Sequence, residues 1–138
     1  MNIKPYERSA HYYETDQMGI IHHSNYIRWF EEARIDLMDQ CGVSYAMLEQ
    51  RGILIPVLSV NVNYIKPARF ADPIRIEMKL SNFEGTHGIR FTVSYQVTHR
   101  ESGQLLVTGE SCHCFTDKGL RVVRLKRDHP DFYQAFLE

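Results

Sequence analysis

The sequence predicts a single α+β domain in which one long helix lies across an antiparallel sheet, and three observations carry that expectation. Apolar residues recur at helical period from Tyr26 to Cys41. Downstream, four long segments alternate or nearly alternate between apolar and polar residues, as strands with one buried face do. The length of 138 residues suits one domain, taken here as residues 1–138. Four or five strands with one apolar face need a cover, and the long helix supplies it.

Tyr6 to Glu14 mixes aromatic and polar residues and reads as a first strand, ended by the polar, glycine-bearing TDQMG. Ser24 then stands where a hydroxyl can cap a helix. Along that helix Tyr26, Ile27, Trp29, Phe30, Ala33, Leu37, Met38 and Cys41 form the apolar stripe, and Gly42 suits the left-handed C-terminal cap. A short second helical turn is expected over Ser44 to Gln50.

The strands follow. Leu58, Val60, Val62 and Tyr64 alternate with polar residues, as do Ile74, Ile76, Met78 and Leu80. The run Ile89 to Thr98 does the same, and Leu105 to Thr116 is a less regular fourth. Turns at Pro67–Pro73, Glu84–Gly88 and Glu101–Gly103 would allow hairpins. Two sheet edges remain without an evident guard, which predicts pairing with a second copy.

Charge and cysteine content narrow the function. The 16 basic and 17 acidic side chains nearly cancel. No global field draws in nucleic acid, and an anionic partner must meet a local patch. Three cysteines, Cys41, Cys112 and Cys114, fit a reduced cytoplasmic setting better than a disulfide framework. The start MNIKPYERSA lacks the apolar stretch of a signal peptide, and the run Gly52 to Val60 is broken by Pro56 and too short for a membrane span.

The chemistry concentrates between His11 and Arg34. Asp16 lies between the first strand and the helix start, with His22 and His23 just before the helix. A carboxylate there can stand near free helix N–H groups, which suit an oxyanion. Acyl transfer needs both parts close together. Spacing alone leaves a second role open for Asp16, that of a turn or capping residue.

Tyr12, Glu14, Asp16, Gly19, His23, Asn25, Tyr26, Glu32, Ala33 and Arg34 form a pattern, Y-x-E-x-D-x-x-G-x-x-x-H-x-N-Y followed by E-A-R. With Asn63 to Ile74, NYIKPARFADPI, it resembles the acyl-CoA thioesterases of the 4-hydroxybenzoyl-CoA type over essentially the whole chain. The resemblance implies a hotdog fold, a long central helix wrapped by a five- to six-stranded antiparallel sheet. It also implies hydrolysis of an acyl-CoA to free acid and coenzyme A, with no cofactor, since coenzyme A is part of the substrate. Subunits of that fold pair into a continuous sheet with active sites at the interface, giving a homodimer and then a homotetramer. Residue by residue, the family's catalytic aspartate falls on Asp16. The position whose backbone N–H polarises the thioester falls on His23, and a supporting tyrosine on Tyr12. The family's basic residue near the coenzyme A phosphates has no counterpart in the turn Glu84–Gly88, which leaves Lys66 and Arg69 as the coenzyme A-binding candidates.

Other readings are weaker. Cys112, His113 and Cys114 look like metal ligands, but alternate strand residues face opposite ways and cannot close on one ion, so no metal site is expected. The basic residues Lys118, Arg121, Arg124, Lys126 and Arg127 form a solvated face or draw in an anionic cofactor. They lack the aromatic interleaving of a nucleic-acid site. A non-catalytic acyl-thioester sensor of the same fold, or a thioesterase acting on a carrier protein, is the alternative. Dehydratase chemistry, which in this fold uses a helix glutamate, ranks below both because Glu31 and Glu32 lie two turns into the helix.

Overall fold

A computed structural model describes residues 2–138. Five strands form one antiparallel sheet: β1 (Tyr6–Ser9), β2 (Val57–Tyr64), β3 (Pro73–Ser81), β4 (Arg90–His99) and β5 (Leu105–Cys114), in the order β1-β3-β4-β5-β2. The helix α1 (Ser24–Gln40) lies on one face of it. A short helix α2 (Tyr45–Gln50) follows, and α3 (Leu125–Asp128) and α4 (Pro130–Leu137) close the far end. At about 1.5 Å per residue α1 is about 26 Å long, enough to cross the sheet.

The two periodicities meet in the core. Ile74, Ile76, Val93, Tyr95 and Val97 turn inward from β3 and β4, while Trp29, Phe30, Ala33 and Leu37 descend from α1, and all of them are buried. Full burial of a valine, leucine, isoleucine or phenylalanine side chain stabilises by about 1.5–3 kcal/mol. Phe30 stacks on Tyr95 with ring centroids 4.1 Å apart. A Cβ at Gly109 would stand 2.5 Å from the Phe30 ring, so β5 can carry only glycine beneath that stack. At the end of α1, Gly42 adopts φ +81° and the N–H groups of Gly42 and Val43 return to the carbonyls of Asp39 and Met38. That is the two-bond left-handed cap the glycine predicts. Ser44 caps α2 by accepting the N–H of Met47 at 3.2 Å.

Three local expectations fail. The first strand stops at Ser9, and Tyr12–Glu14 form a 3₁₀ turn. The cause is Glu14, which is pulled into the interior by partners distant in sequence. The segment Pro67–Pro73 makes no hairpin, because β2 pairs with β5 while β3 pairs with β1 and β4. The connecting residues 65–72 cross the sheet end. At up to ~3.3 Å each they readily cover three strand spacings of ~4.8 Å. Ser24 is the first helical residue rather than the cap, a point taken up below. The sheet has five strands, the lower bound of the expectation.

β2 also departs from the one-buried-face pattern. Val57, Leu58, Val60 and Tyr64 are all substantially exposed, because α1 covers the centre of the sheet and leaves this edge bare. Next to it, Ser111 and His113 of β5 point inward. His113 Nε2 and Ser111 Oγ are 2.7 Å apart, Ser111 Oγ meets the Tyr95 hydroxyl at 2.7 Å, and Arg34 Nη1 donates to that hydroxyl at 3.2 Å. Burial, with the Arg34 charge second, pushes the His113 imidazole down to about 4. No helix among the described residues is long and apolar enough to cross a membrane.

Candidate active site

The loop before α1 is built around Glu14, whose side chain is buried. Its Oε1 accepts from Arg8 Nη2 at 2.6 Å and from the His11 N–H at 2.8 Å, and its Oε2 accepts from the Trp29 indole at 2.7 Å. Its carbonyl takes the His22 N–H and the Asn25 amide, both at 2.8 Å. Arg8 in turn lies over the Trp29 ring and bonds both oxygens of Glu32. Glu14, Asn25 and Glu32 in the sequence pattern are therefore a brace that fixes the loop to the helix. Removing one partner of such a buried pair typically costs about 3–5 kcal/mol.

Held by that brace, residues 16–20 form a tight turn. The Asp16 N–H donates to the Ile20 carbonyl at 2.9 Å, and the Gly19 N–H to the Asp16 carbonyl at 3.0 Å. Gly19 has φ +77°, a conformation that other residues adopt at a cost. The Asp16 carboxylate keeps one oxygen in the turn, where Oδ1 accepts the Met18 N–H at 2.8 Å. Among the described residues Oδ2 has no hydrogen-bond partner.

At the helix start the capping work falls to His22. Its Nδ1 lies 2.8 Å from Ser24 Oγ and accepts the Ser24 N–H at 3.2 Å. The expected serine cap is thus displaced by an imidazole two residues before the first helical one. His23 is the boundary residue, its ring stacked on His22 at 4.2 Å, and its N–H has no partner among the described residues. That donor stands at the positive end of a 17-residue helix.

Asp16 and His23 line one cavity of about 300 Å³, with Met18, Tyr26, Tyr64 and Lys66 among its other walls. Tyr64 donates to the His23 carbonyl at 3.3 Å and meets Tyr26 edge-on at 5.7 Å. Tyr26 accepts the Ala68 N–H at 3.2 Å, tying the helix to the second sequence pattern. Burial raises the Tyr26 phenol above its usual range, so it stays neutral. A larger hollow of about 590 Å³ lies between β3 and α4, away from Asp16 and the start of α1, and its one carboxylate is Glu84 on a single 3₁₀ turn.

Of the residues singled out from sequence, Asp16, His23 and Lys66 share the cavity. Tyr12 does not line it; the residue is 74% exposed and its ring packs edge-on against Phe70. Arg69 is held by its N–H on Asp72 and also lies outside the lining. Tyr64 was missed, because its alternation assigned it to the strand core. Its place two residues before Lys66 and Pro67 in the second pattern was the available signal.

The chain matches the thioesterase-like superfamily over residues 11–137. Its backbone superposes on a DHNA-CoA thioesterase from Staphylococcus aureus with a TM-score of 0.90 and 33% identity, covering 97% of this chain and 88% of that one. Long-chain acyl-CoA thioesterase FadM of Escherichia coli K12 is 28% identical over 94 residues, 68% of each chain. In fold alone the chain also resembles an Asp-to-Asn mutant of a 4-hydroxybenzoyl CoA thioesterase complexed with 4-hydroxybenzoyl CoA, at a TM-score of 0.79, 20% identity and coverage of 93% and 96%. With its helix laid over a five-stranded sheet and its signature residues bracing one loop, the chain belongs to the hotdog-fold thioesterase-like superfamily.

Proposed function

We propose that this protein hydrolyses acyl-CoA thioesters, with Asp16 as the reacting carboxylate. The observation that carries the reading is one cavity lined by both Asp16 and the start of α1. The His23 N–H receives the thioester oxygen as charge develops on it. The Asp16 carboxylate either attacks the carbonyl carbon or takes a proton from an attacking water. The carbon–sulfur bond breaks, coenzyme A leaves as the thiolate and is protonated, and water supplies the oxygen of the free acid. No metal or cofactor enters this scheme. Met18, Tyr26 and Tyr64 give the acyl group an apolar wall.

The reading includes a second subunit. The cavity opens beside the bare edge of β2, and pairing of that edge with a second copy closes the site. Two such dimers associate into a tetramer. Near-neutral charge and unbridged Cys112 and Cys114 fit action in the cytoplasm. Lys66 stands at the cavity rim as a cation for coenzyme A.

A thiol-release assay across short, medium, long and aromatic acyl-CoAs tests the function. Turnover without added metal on at least one class is expected. Tight binding without turnover on any of them contradicts hydrolysis and leaves a thioester-binding module.

A further inference from the structure

The peptide group that joins His22 to His23 carries the His23 N–H, the donor that receives the thioester oxygen in the scheme above. The carbonyl of that same peptide, the one belonging to His22, accepts the Asn25 N–H at 2.9 Å. The peptide is trans, so its C=O and N–H point in opposite directions. A carbonyl turned into the first turn of α1 therefore turns the N–H away from the helix and leaves it free. How firmly this one plane is held decides how well the donor is aimed.

His22 holds it from both ends. On the near side the His22 N–H is bound to the Glu14 carbonyl at 2.8 Å, and the Glu14 side chain is itself buried. On the far side the His22 ring reaches over the peptide to the next residue. Its Nδ1 accepts the Ser24 N–H at 3.2 Å and lies 2.8 Å from Ser24 Oγ. To accept an N–H, Nδ1 must present its lone pair, which places the ring proton on Nε2. The ring also stacks on that of His23, with centroids 4.2 Å apart. His22 does not line the cavity, so whatever it does for the reaction it does through His23.

We propose that His22 is a positioning residue, whose Nδ1 clamps Ser24 and so keeps the His23 N–H aimed into the cavity. The inference rests on the thioesterase reading. It separates two neighbouring imidazoles by role: the His23 residue lends its backbone to the oxyanion, and the His22 side chain sets where that backbone points.

The test is a pair of variants that part the acceptor from the ring. His22→Phe keeps a ring to stack on His23 but offers Ser24 no acceptor. His22→Asn loses the ring but puts Oδ1 at the branch position of Nδ1, and asparagine side chains commonly bond the backbone two residues on. In the phenylalanine variant kcat should fall about tenfold, short of the ~10²–10³ that follows complete loss of an oxyanion donor. Its KM should stay within about twofold, because the bond strengthens only as charge develops on the oxygen. The asparagine variant should keep kcat within about threefold of the parent. Calorimetry with a non-hydrolysable acyl-CoA analogue counts the folded sites, so that inactive protein is not read as lost kcat. Where the phenylalanine variant does not fold, His22→Ala takes its place with the same expectation. An unchanged kcat without the acceptor, an equal loss in both variants, or a loss carried by KM would overturn the inference.

Amide hydrogen exchange followed by NMR separates it from the broader reading. Faster exchange of the Ser24 amide in the phenylalanine variant than in the asparagine variant, in a protein that hydrolyses nothing, sustains the clamp and sinks the thioesterase assignment. Equal exchange in both variants and the parent sinks the clamp.

Discussion

The sheet has two edges, finished in different ways. β1 has four residues, follows Pro5, and carries Glu7 in ion pairs with Arg75 and Arg100. It is short, charged and closed to further pairing. β2 has eight residues, no charge at all, and exposes Val57 at 50%, Leu58 at 49% and Val60 at 38%. Edge strands of that kind invite another strand unless something blocks them. The contrast teaches that the protein blocks one edge and keeps the other open beside its candidate site.

The largest effect should come from breaking the open edge. Val60→Lys puts a cation from each copy into the proposed pairing strand. Like charges at an interface cost several kcal/mol, so association should weaken by about 10²-fold or more. Sedimentation should then give a species near 16.2 kDa with little turnover. An active species of that mass would show that the site is complete in one chain.

A smaller effect lies just behind β2, at His113, which pairs in register with Val57. Its imidazole is neutral in the fold down to about 4, against an ordinary value of 6.5. Between those values the unfolded chain binds the extra proton, so stability is full above pH 6.5 and falls as the pH drops toward 4. The integrated loss is about 3 kcal/mol for this fully buried ring. Denaturant unfolding from pH 7 to 4 should show that slope, and His113→Gln should flatten it. An unchanged slope would mean other groups carry the acid sensitivity.

His23→Ala should lower turnover by at most about tenfold, because the N–H survives the change. A true loss of an oxyanion donor costs about 10²–10³. A deficit of that size would make the imidazole itself the donor. Smallest of all is the control on the closed edge: Ser9→Lys should alter stability by no more than about 0.5 kcal/mol and leave assembly unchanged.

The parts legible in the sequence were those set by local pattern. α1 and strands β3 to β5 follow from period, and Gly42 ends its helix through backbone conformation alone. Asp16 and His23 were singled out by a recognised pattern rather than by spacing, which left Asp16 ambiguous. The failures share one cause. β1 ends at Ser9 because Glu14 bonds Arg8 and Trp29, contacts that no local window contains. The residues 67–73 carry the same turn chemistry whether they close a hairpin or cross the sheet, and the choice is made by which strands pair at long range. The cap passed from Ser24 to His22 because the brace on Glu14 holds the His22 backbone.

Asp16→Asn tests the central claim most directly, with turnover and the affinity of a non-hydrolysable acyl-CoA analogue measured on the same folded protein. The substitution keeps the side chain's size and its bond to the Met18 N–H, so the turn should survive. Turnover should fall by about 10²–10⁴, the usual loss for a missing general base, and by more if the carboxylate is the nucleophile. The analogue should bind as well as before or more tightly, since a negative charge leaves the cavity. Near-normal turnover in the Asn variant would contradict the account and remove Asp16 from the chemistry.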